Sequence, residues 1–194
     1  SWVWVHDHFG VNNEDSFDAY KRGEIDDHEF MRRDIALWKE KSRPIRYSTI
    51  TEIVATAPVM KGAEETLETL NKNGFKTAIV SGGLKPLADR IADELGIEHV
   101  YANDLATDSS GNITGEGILE VALRDKGTPF MNFLNDIDVP PERSVAVGNA
   151  YIDILMMEKA GLGIAFNPDD MEVRRAADVV ILEKDLRRIL PHIL

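Results

Sequence analysis

The sequence contains no cysteine among its 194 residues. Disulfide bonds, thiol nucleophiles and thiolate metal sites are therefore excluded, and the composition fits a reducing compartment. Long apolar runs are also lacking, because no stretch approaches the roughly 20 consecutive apolar residues that a membrane helix needs. No charged and then apolar leader comes before Trp2. We therefore expect a cytoplasmic protein without a membrane partner.

Positive charge is scarce relative to negative charge. The chain has 22 Lys and Arg against 34 Asp and Glu, a formal net charge of −12. Such an excess repels nucleic-acid backbones over most of a surface. We expect a small ligand or a divalent metal ion as partner, no nucleic acid, and a monomer or a homodimer. The length and the 43% hydrophobic content suit one domain with a small insert.

The first apolar run, residues 2–6, is predicted to form a buried strand. It reads Trp-Val-Trp-Val-His, and a short aromatic and β-branched run that is apolar on both faces is typical of a central parallel strand. The run stops at Asp7, so this interpretation places a carboxylate at the carboxyl end of the strand.

Residues 12–58 have a different pattern and are predicted to form a small helical cap. Apolar residues recur at helical spacing in segments 15–20 and 26–41, with Phe30, Ile35 and Trp38 as a stripe among many charges. We therefore divide the chain into a core domain, residues 1–11 and 59–194, and a cap, residues 12–58.

The remainder of the chain alternates between strand and helix patterns, which predicts an α/β fold. Strands are predicted at 75–81, 99–106, 144–147, 162–166 and 178–181, and helices at 61–73, 84–95, 125–138, 152–160 and 168–177. The turn sequence at 108–112 predicts a β-hairpin between residues 100–107 and 113–121. Repeated βα units of this length favour a parallel sheet covered by helices on both faces.

Polar side chains follow the predicted strands where a ligand is expected. In open α/β sheets ligands bind at the carboxyl ends of the strands, where the sequence has Asp7, Ser81 and Asn149, with Asp153 just beyond. Lys126 opens a helix after the hairpin and can add an ammonium group. A carboxylate, a hydroxyl, a lysine and an amide–carboxylate pair suit a phosphoryl group and a hard divalent cation.

The order of several short motifs resembles the haloacid dehalogenase superfamily and, from residue 79 onward, its phosphoserine phosphatase branch. Each motif is weak alone, but the series covers essentially the whole chain outside part of the cap. The motifs are Ala78-Ile79-Val80-Ser81-Gly82-Gly83, Tyr101-Ala102-Asn103-Asp104-Leu105, Gly111 to Gly115, Lys126-Gly127, Ser144-Val145-Ala146-Val147-Gly148, Asp153-Ile154, Ala160 to Phe166, Ala176-Ala177-Asp178 and Asp185 to Leu190.

The resemblance implies a Rossmannoid three-layer core, with the cap inserted after the first strand, and a phospho-aspartyl mechanism. Asp7 would be the nucleophile, while Ser81, Gly82 and Lys126 would hold the phosphate. A second alignment of the first motif brings Glu14 to a substrate-binding position. These roles are those of a phosphoserine phosphatase-like phosphomonoester hydrolase, whose partner would be a small phosphorylated metabolite.

The resemblance also implies a Mg²⁺ ion. Its ligands would be Asp7, the backbone carbonyl of Phe9, Asn149 and Asp153. The family has an aspartate where Asn149 stands, so the site has one negative charge fewer. We therefore expect weak Mg²⁺ binding.

Three further departures from the family pattern predict impaired catalysis. Phe9 stands where the family has the aspartate that exchanges protons with the leaving group and with water, and Val11 stands where it has a threonine. General acid–base help is commonly worth about 10²–10⁴ in rate, and Phe9 cannot supply it. Asp34 falls where an arginine for the substrate carboxylate is expected, which argues against phosphoserine specificity.

A catalytically inactive or redesigned form of this scaffold is the alternative. His6 and His8 are two residues apart on the predicted strand, so their imidazoles would project to one face. With Asp7 or Asp153 they could bind a transition metal such as Zn²⁺, Ni²⁺ or Co²⁺. The former active site would then hold a metal or a small ligand.

A lesser alternative is a metal-independent haloacid dehalogenase-type hydrolase. Asp7-His8-Phe9-Gly10 and Asn149-Ala150-Tyr151 resemble motifs of that branch. The spacing to Asp153 is longer than in those enzymes, and the C-terminal half favours the phosphatases.

Overall fold

The computed structural model describes residues 1–168 and 170–194. The chain divides into two compact units: the first contains residues 1–58, 81–91 and 101–122, and the second contains residues 59–80, 92–100 and 123–194. The division into a cap at residues 12–58 and a core stays a prediction. Asp169, within the predicted helix 168–177, lies outside the described residues.

The first unit begins with four helices. They are α1 (Trp2–Phe9), α2 (Glu14–Lys21), α3 (Asp27–Lys41) and α4 (Tyr47–Ala55). α2 and α3 confirm the helices predicted at 15–20 and 26–41, whereas α4 lies within the predicted helical cap but was not predicted as a separate helix. Asp26 caps α3, because its side chain accepts a hydrogen bond from the Glu29 amide at 2.8 Å and so satisfies a free donor of the first turn.

The prediction of a strand at residues 2–6 is wrong, because these residues open helix α1. Trp2, Val5, His6 and Phe9 have the spacing i, i+3, i+4 and i+7, which places them on one side of a helix. Val5 and His6 on that side are buried. Gly10 ends the helix at φ 63°, a left-handed conformation that glycine adopts without steric cost.

The core of the first unit forms around Trp38 of α3, which is fully buried. The rings of Trp2 and Phe9 stack against it, with centroid distances of 5.3 and 6.5 Å. Ile50 and Val54 of α4 belong to the same cluster. Aromatic side chains bury large apolar areas, and only a helix brings Trp2 and Phe9 to the same side of the segment.

A three-stranded sheet has the order β1 (Ala78–Leu84), β2 (His99–Thr107) and β3 (Ile113–Ile118), and α6 (Lys85–Leu95) follows β1. β2 and β3 are antiparallel, which confirms the predicted hairpin. Asp108 stabilises its turn by accepting hydrogen bonds from the amides of Ser110 and Asn112 at 2.8 and 2.9 Å, as aspartate does in tight turns.

The second unit contains a parallel sheet of order β4-β5-β6, formed by Val145–Gly148, Leu162–Phe166 and Val179–Ile181. Its helices are α5 (Ala63–Lys72), α7 (Gly127–Asp136), α8 (Ile154–Lys159), α9 (Met171–Ala176) and α10 (Leu190–Ile193). The α/β class and the three strands are confirmed. The described residues form two three-stranded sheets where one sheet was expected, since the residues predicted as its first strand are helical.

None of the helices in residues 1–168 and 170–194 combines the length and the apolar character that crossing a bilayer requires.

Candidate functional site

Lys126 and Asp153 form a buried ion pair in the second unit. The Lys126 Nζ atom donates to Asp153 Oδ1 at 2.6 Å, and the two side chains are 9% and 5% exposed. The other carboxylate oxygen, Oδ2, accepts hydrogen bonds from the backbone amides of Asn149 and Ala150 at 2.9 and 3.0 Å. A buried ammonium is therefore held by a carboxylate whose own orientation is fixed by two backbone dipoles.

The sequence after β4 explains how Asp153 reaches these amides. β4 ends at Gly148, and Asp153 closes the short 3₁₀ helix Tyr151–Asp153 that leads into α8. A side chain at position 148 would collide with the Asp153 carboxylate, because a Cβ atom there would lie 2.6 Å from Oδ2. Glycine at 148 thus permits the close approach of the carboxylate to the carboxyl end of the strand.

Ser81 lies in β1, just before α6, and its hydroxyl is engaged by the backbone. Ser81 Oγ accepts a hydrogen bond from the Gly83 amide at 3.0 Å. The Gly82 carbonyl accepts two hydrogen bonds, from Trp2 Nε1 at 3.1 Å and from Asn103 Nδ2 at 3.2 Å. We call residues 81–84, the last four residues of strand β1, the serine loop; its backbone is held by side chains that are distant in sequence.

Asp7 does not stand at the end of a strand. It lies on the exposed side of α1 and lines a groove of about 440 Å³, together with Trp4, His8, Thr49, Glu52, Ile53 and Thr56. The strand-end position was the geometric basis for its predicted nucleophilic role, and that basis is removed. The role itself stays a prediction.

The expectation that His6 and His8 project to one face is wrong. Two residues subtend about 200° on an α-helix, so the two imidazoles point to different sides. His6 is 3% exposed; its Nδ1 atom accepts a hydrogen bond from Trp38 Nε1 at 2.8 Å, and its Nε2 atom lies 3.3 Å from Asp34 Oδ2. The exposed His8 ring packs edge-on against Phe9 at 5.0 Å. The pair cannot chelate one ion.

The remaining candidates of the first unit have different environments. Phe9 packs against the core cluster around Trp38. Glu14 is the exposed first residue of α2. Asp34, 2% exposed, accepts two hydrogen bonds from Asn13 Nδ2 at 3.0 and 3.1 Å, so it belongs to a buried polar network and not to a substrate-reading surface.

The described side chains do not form a ready site for a divalent cation. Within residues 1–168 and 170–194, no group of three or more His, Cys, Asp or Glu residues is arranged to hold a metal ion. Of the predicted ligands, Asp153 already uses both oxygens, one toward Lys126 and one toward two amides. Asn149, the neighbouring ligand candidate, is neutral. The donor set present therefore does not fit Mg²⁺ without rearrangement.

Asn103 and Trp2 contact the serine loop and were missed as site residues. Asn103 was noted only as part of a family motif, and Trp2 only as a strand residue. Asn103 stands between Tyr101 and Leu105 on one face of strand β2. A polar residue at such a position is the signal that could have identified Asn103, since buried polar groups require hydrogen-bond partners.

A family model described as haloacid dehalogenase-like hydrolase matches residues 5–161. The chain is 32% identical over 172 residues to the phosphoserine phosphatase of Methanocaldococcus jannaschii, covering 88% of this chain and 79% of that protein. It is also 32% identical over 167 residues to the phosphoserine phosphatase of Archaeoglobus fulgidus, covering 85% of this chain but only 46% of that longer protein.

Solved structures give the same relationship. A phospho-aspartyl intermediate analogue of phosphoserine phosphatase superposes with a TM-score of 0.84 at 28% identity, covering 100% of this chain and 91% of the other. A substrate-bound phosphoserine phosphatase complex has the same TM-score and identity, with 100% and 90% coverage. Sequence and backbone comparisons thus both find phosphoserine phosphatases among the proteins similar to this chain.

Proposed function

Because the chain belongs to the haloacid dehalogenase-like hydrolase family and is phosphoserine phosphatase-like in sequence and fold, we propose that it binds phosphomonoesters. Lys126 in the second unit and Ser81 of the serine loop in the first unit are two separate candidate phosphate-binding groups. The single observation that carries the proposal is the buried Lys126–Asp153 pair. A buried lysine needs a compensating charge, and an ammonium that is already oriented suits a phosphoryl oxygen. Because the relatives are named phosphoserine phosphatases, we propose phosphoserine as the first substrate to test.

Each group has a defined task in this proposal. The Lys126 ammonium has three donors, one of which is used by Asp153, so the others can serve phosphate oxygens. Asp153 keeps the ammonium in place and offsets its charge. Ser81 Oγ accepts from the Gly83 amide, so its own O–H is free to point toward a phosphate oxygen.

We also propose that turnover is slow. Asp7 and Phe9 belong to α1, and neither occupies the strand end from which an aspartate nucleophile would attack. Phe9 has no proton to give, and Asn149 supplies an amide where the family pattern has a carboxylate. The chain therefore has groups that can hold a phosphoryl group, but it lacks well-placed groups for nucleophilic attack and proton transfer.

Magnesium dependence is a separate part of the proposal. Asn149 and Asp153 would hold the cation only after Asp153 had released Lys126 or the two backbone amides, and the cation would then supply Lewis-acid polarisation of the phosphoryl group. No step above depends on it, because Asp153 is engaged by Lys126. Phosphate release measured with Mg²⁺ and with EDTA tests this part alone; equal rates would remove the cation from the proposal.

Phosphate release from O-phospho-L-serine and p-nitrophenyl phosphate tests the activity, and calorimetric titration with inorganic phosphate tests binding. We expect measurable binding, slow release, and weaker binding in Ser81→Ala and Lys126→Gln.

Two results would contradict the proposal. Absence of both phosphate binding and phosphate release by the folded wild-type chain would overturn it as a whole. Loss of release in Asp7→Asn with unchanged phosphate binding would instead restore Asp7 as the nucleophile and overturn the statement that this residue is not placed for attack.

A further inference from the structure

Asn103 of β2 uses its full hydrogen-bonding capacity. Its Nδ2 atom donates to the carbonyls of Gly82 at 3.2 Å and Val121 at 2.9 Å. Its Oδ1 atom accepts from the amides of Glu120 and Val121, both at 2.8 Å. An asparagine side chain has two donors and two acceptor sites, so all four are satisfied at a residue that is 2% exposed.

This arrangement fixes which way the amide points. Turning the group by 180° would place its NH₂ against two amide N–H donors and its oxygen against two carbonyls. The buried polar network is therefore satisfied in one orientation only, and Asn103 joins the serine loop to the segment at 120–121.

The bond to Gly82 acts on the peptide unit between Gly82 and Gly83. The carbonyl of this unit is held by Asn103 and by Trp2 Nε1, at 3.2 and 3.1 Å. The N–H of the same unit, on Gly83, donates to Ser81 Oγ at 3.0 Å. Rotation of the peptide plane would break all three hydrogen bonds. The Asn103 side chain, by donating to the Gly82 carbonyl, therefore helps to fix the direction of the Gly83 N–H that donates to Ser81.

We propose that Asn103 is a positioning residue, which fixes the Gly82–Gly83 peptide plane and thereby orients the Ser81 hydroxyl toward the phosphoryl group. The inference rests on the proposed function of Ser81 and names a residue that acts through the loop without contacting the ligand. Because the Gly83 amide occupies one acceptor site of Ser81, the hydroxyl proton is directed elsewhere and can serve a phosphate oxygen.

Asn103→Asp is the sharpest variant. It keeps the shape of the side chain and the acceptor toward Glu120 and Val121, but it places an oxygen opposite the carbonyls of Gly82 and Val121. Asn103→Ser removes the side-chain amide without adding charge. Leu105→Ala, in the same strand and buried to the same degree, is the matched control, because it lowers stability by a cavity without touching the loop.

The first measurement is hydrogen exchange of the Gly83 amide by NMR, which does not require any ligand. We expect its protection to fall in Asn103→Asp and Asn103→Ser and to stay at the wild-type level in Leu105→Ala. Unchanged protection of Gly83 in both Asn103 variants would overturn the inference, even if phosphate binds to the wild type.

The second measurement is the affinity for inorganic phosphate, at a temperature where circular dichroism shows each variant folded. We expect a loss of about tenfold in Asn103→Ser, equivalent to about 1.4 kcal/mol, and no further loss when the substitution is made in a Ser81→Ala background. A residue that acts through Ser81 loses its effect when Ser81 is removed. Additive losses in the double variant would show a merely structural role and overturn the inference.

The two measurements separate this inference from the function on which it rests. Reduced Gly83 protection in the Asn103 variants, with no phosphate binding by the wild type, would support the control of the loop by Asn103 and overturn the proposed function. Phosphate binding that is equally weakened in Leu105→Ala would instead overturn the positioning role.

Discussion

At the scale of single residues, the buried Lys126–Asp153 pair combines two charges that are almost completely removed from water. Removing two charges from water is costly, and the mutual attraction and hydrogen bonds offset that cost only while both partners are present. The pair is therefore strong evidence for a defined geometry and weak evidence for net stability.

We expect Lys126→Met to lower the free energy of unfolding by about 3–5 kcal/mol, because Asp153 is left buried without its cation. Urea denaturation measures the change. The double variant Lys126→Met/Asp153→Leu is the control and is expected to regain part of the loss, since neither charge remains. A loss under about 1 kcal/mol in the single variant would show that the pair is not desolvated in solution.

Trp38 offers a second test at this scale. Its indole N–H donates to the buried Nδ1 atom of His6, and Trp38→Phe leaves that acceptor without a donor. We expect a loss of about 1–3 kcal/mol for the unsatisfied group, in addition to the lost ring volume. Trp4→Phe is the control: Trp4 is 40% exposed, and the change is expected within about 0.5 kcal/mol. Equal effects would contradict the buried bond.

At the scale of elements, helix α1 can be tested against the strand that residues 2–6 suggest. Val3 is 65% exposed. The change in stability on its substitution therefore depends more on the helix or strand propensity of the residue than on packing. Valine disfavours helices relative to alanine by up to about 0.7 kcal/mol, and it favours strands. We expect Val3→Ala to stabilise the chain by a few tenths of a kcal/mol in thermal unfolding, and destabilisation would contradict the helix.

The carboxyl end of α1 gives an independent check. Gly10 has φ 63°, a conformation that costs other L-residues roughly 1–2 kcal/mol. Gly10→Ala is expected to destabilise by about 1 kcal/mol, and Gly10→Asn by less, because asparagine tolerates the left-handed region. Since nothing lies within 4 Å of a Cβ atom at this position, a steric clash would not explain the loss. Equal costs for both variants would contradict the cap.

Helix α1 also shows which parts of the fold could be predicted from the sequence and which could not. The strands β4, β5 and β6 and the β2–β3 hairpin followed from short apolar runs and turn chemistry, which act locally. The run at 2–6 is ambiguous, because four apolar residues followed by a histidine fit a strand as well as part of a helix. The decisive signal lay further along, in Phe9 at i+7 from Trp2 and in the glycine cap at 10. The predicted strand ends and helix starts, together with the family motifs, identified Ser81 and Lys126 as candidate site residues, but only packing revealed Asn103.

The segment that precedes α10 gives a pH-dependent prediction. Hydrogen bonds from Arg187, and then from Lys61, hold the pKa of the Asp185 carboxyl well below its ordinary value. A carboxyl whose pKa is depressed by folding contributes stability above its unfolded pKa of about 3.9, and the contribution is lost as the pH falls below that value. The urea midpoint difference between wild type and Asp185→Asn is therefore expected to be largest near neutral pH and to shrink below about pH 4.

The exposed Glu183 supplies the control for that experiment. Glu183→Gln removes a carboxylate from the same segment without removing the contacts of Asp185. A midpoint difference for Asp185→Asn that does not vary with pH would contradict the ion-paired state of the carboxylate.

At the scale of the whole molecule, the net charge of −12 acts against the compact state. Like charges repel within a folded chain, and salt screens them over a Debye length of about 10 Å at 0.1 M. We expect the unfolding temperature to rise between about 0.01 and 0.3 M NaCl at pH 7.5, and to change little near pH 4.8, where the sequence pI lies. A fall at pH 7.5 would show that surface ion pairs outweigh the repulsion.

The placement of the tryptophans has a spectroscopic consequence. All three lie in the first unit, at positions 2, 4 and 38, and the stacked indoles of Trp2 and Trp38 are 25° from parallel. Intrinsic fluorescence excited at the indole band therefore reports on the first unit alone, while far-ultraviolet dichroism averages over both. The two signals read in parallel distinguish one cooperative transition from two without any label.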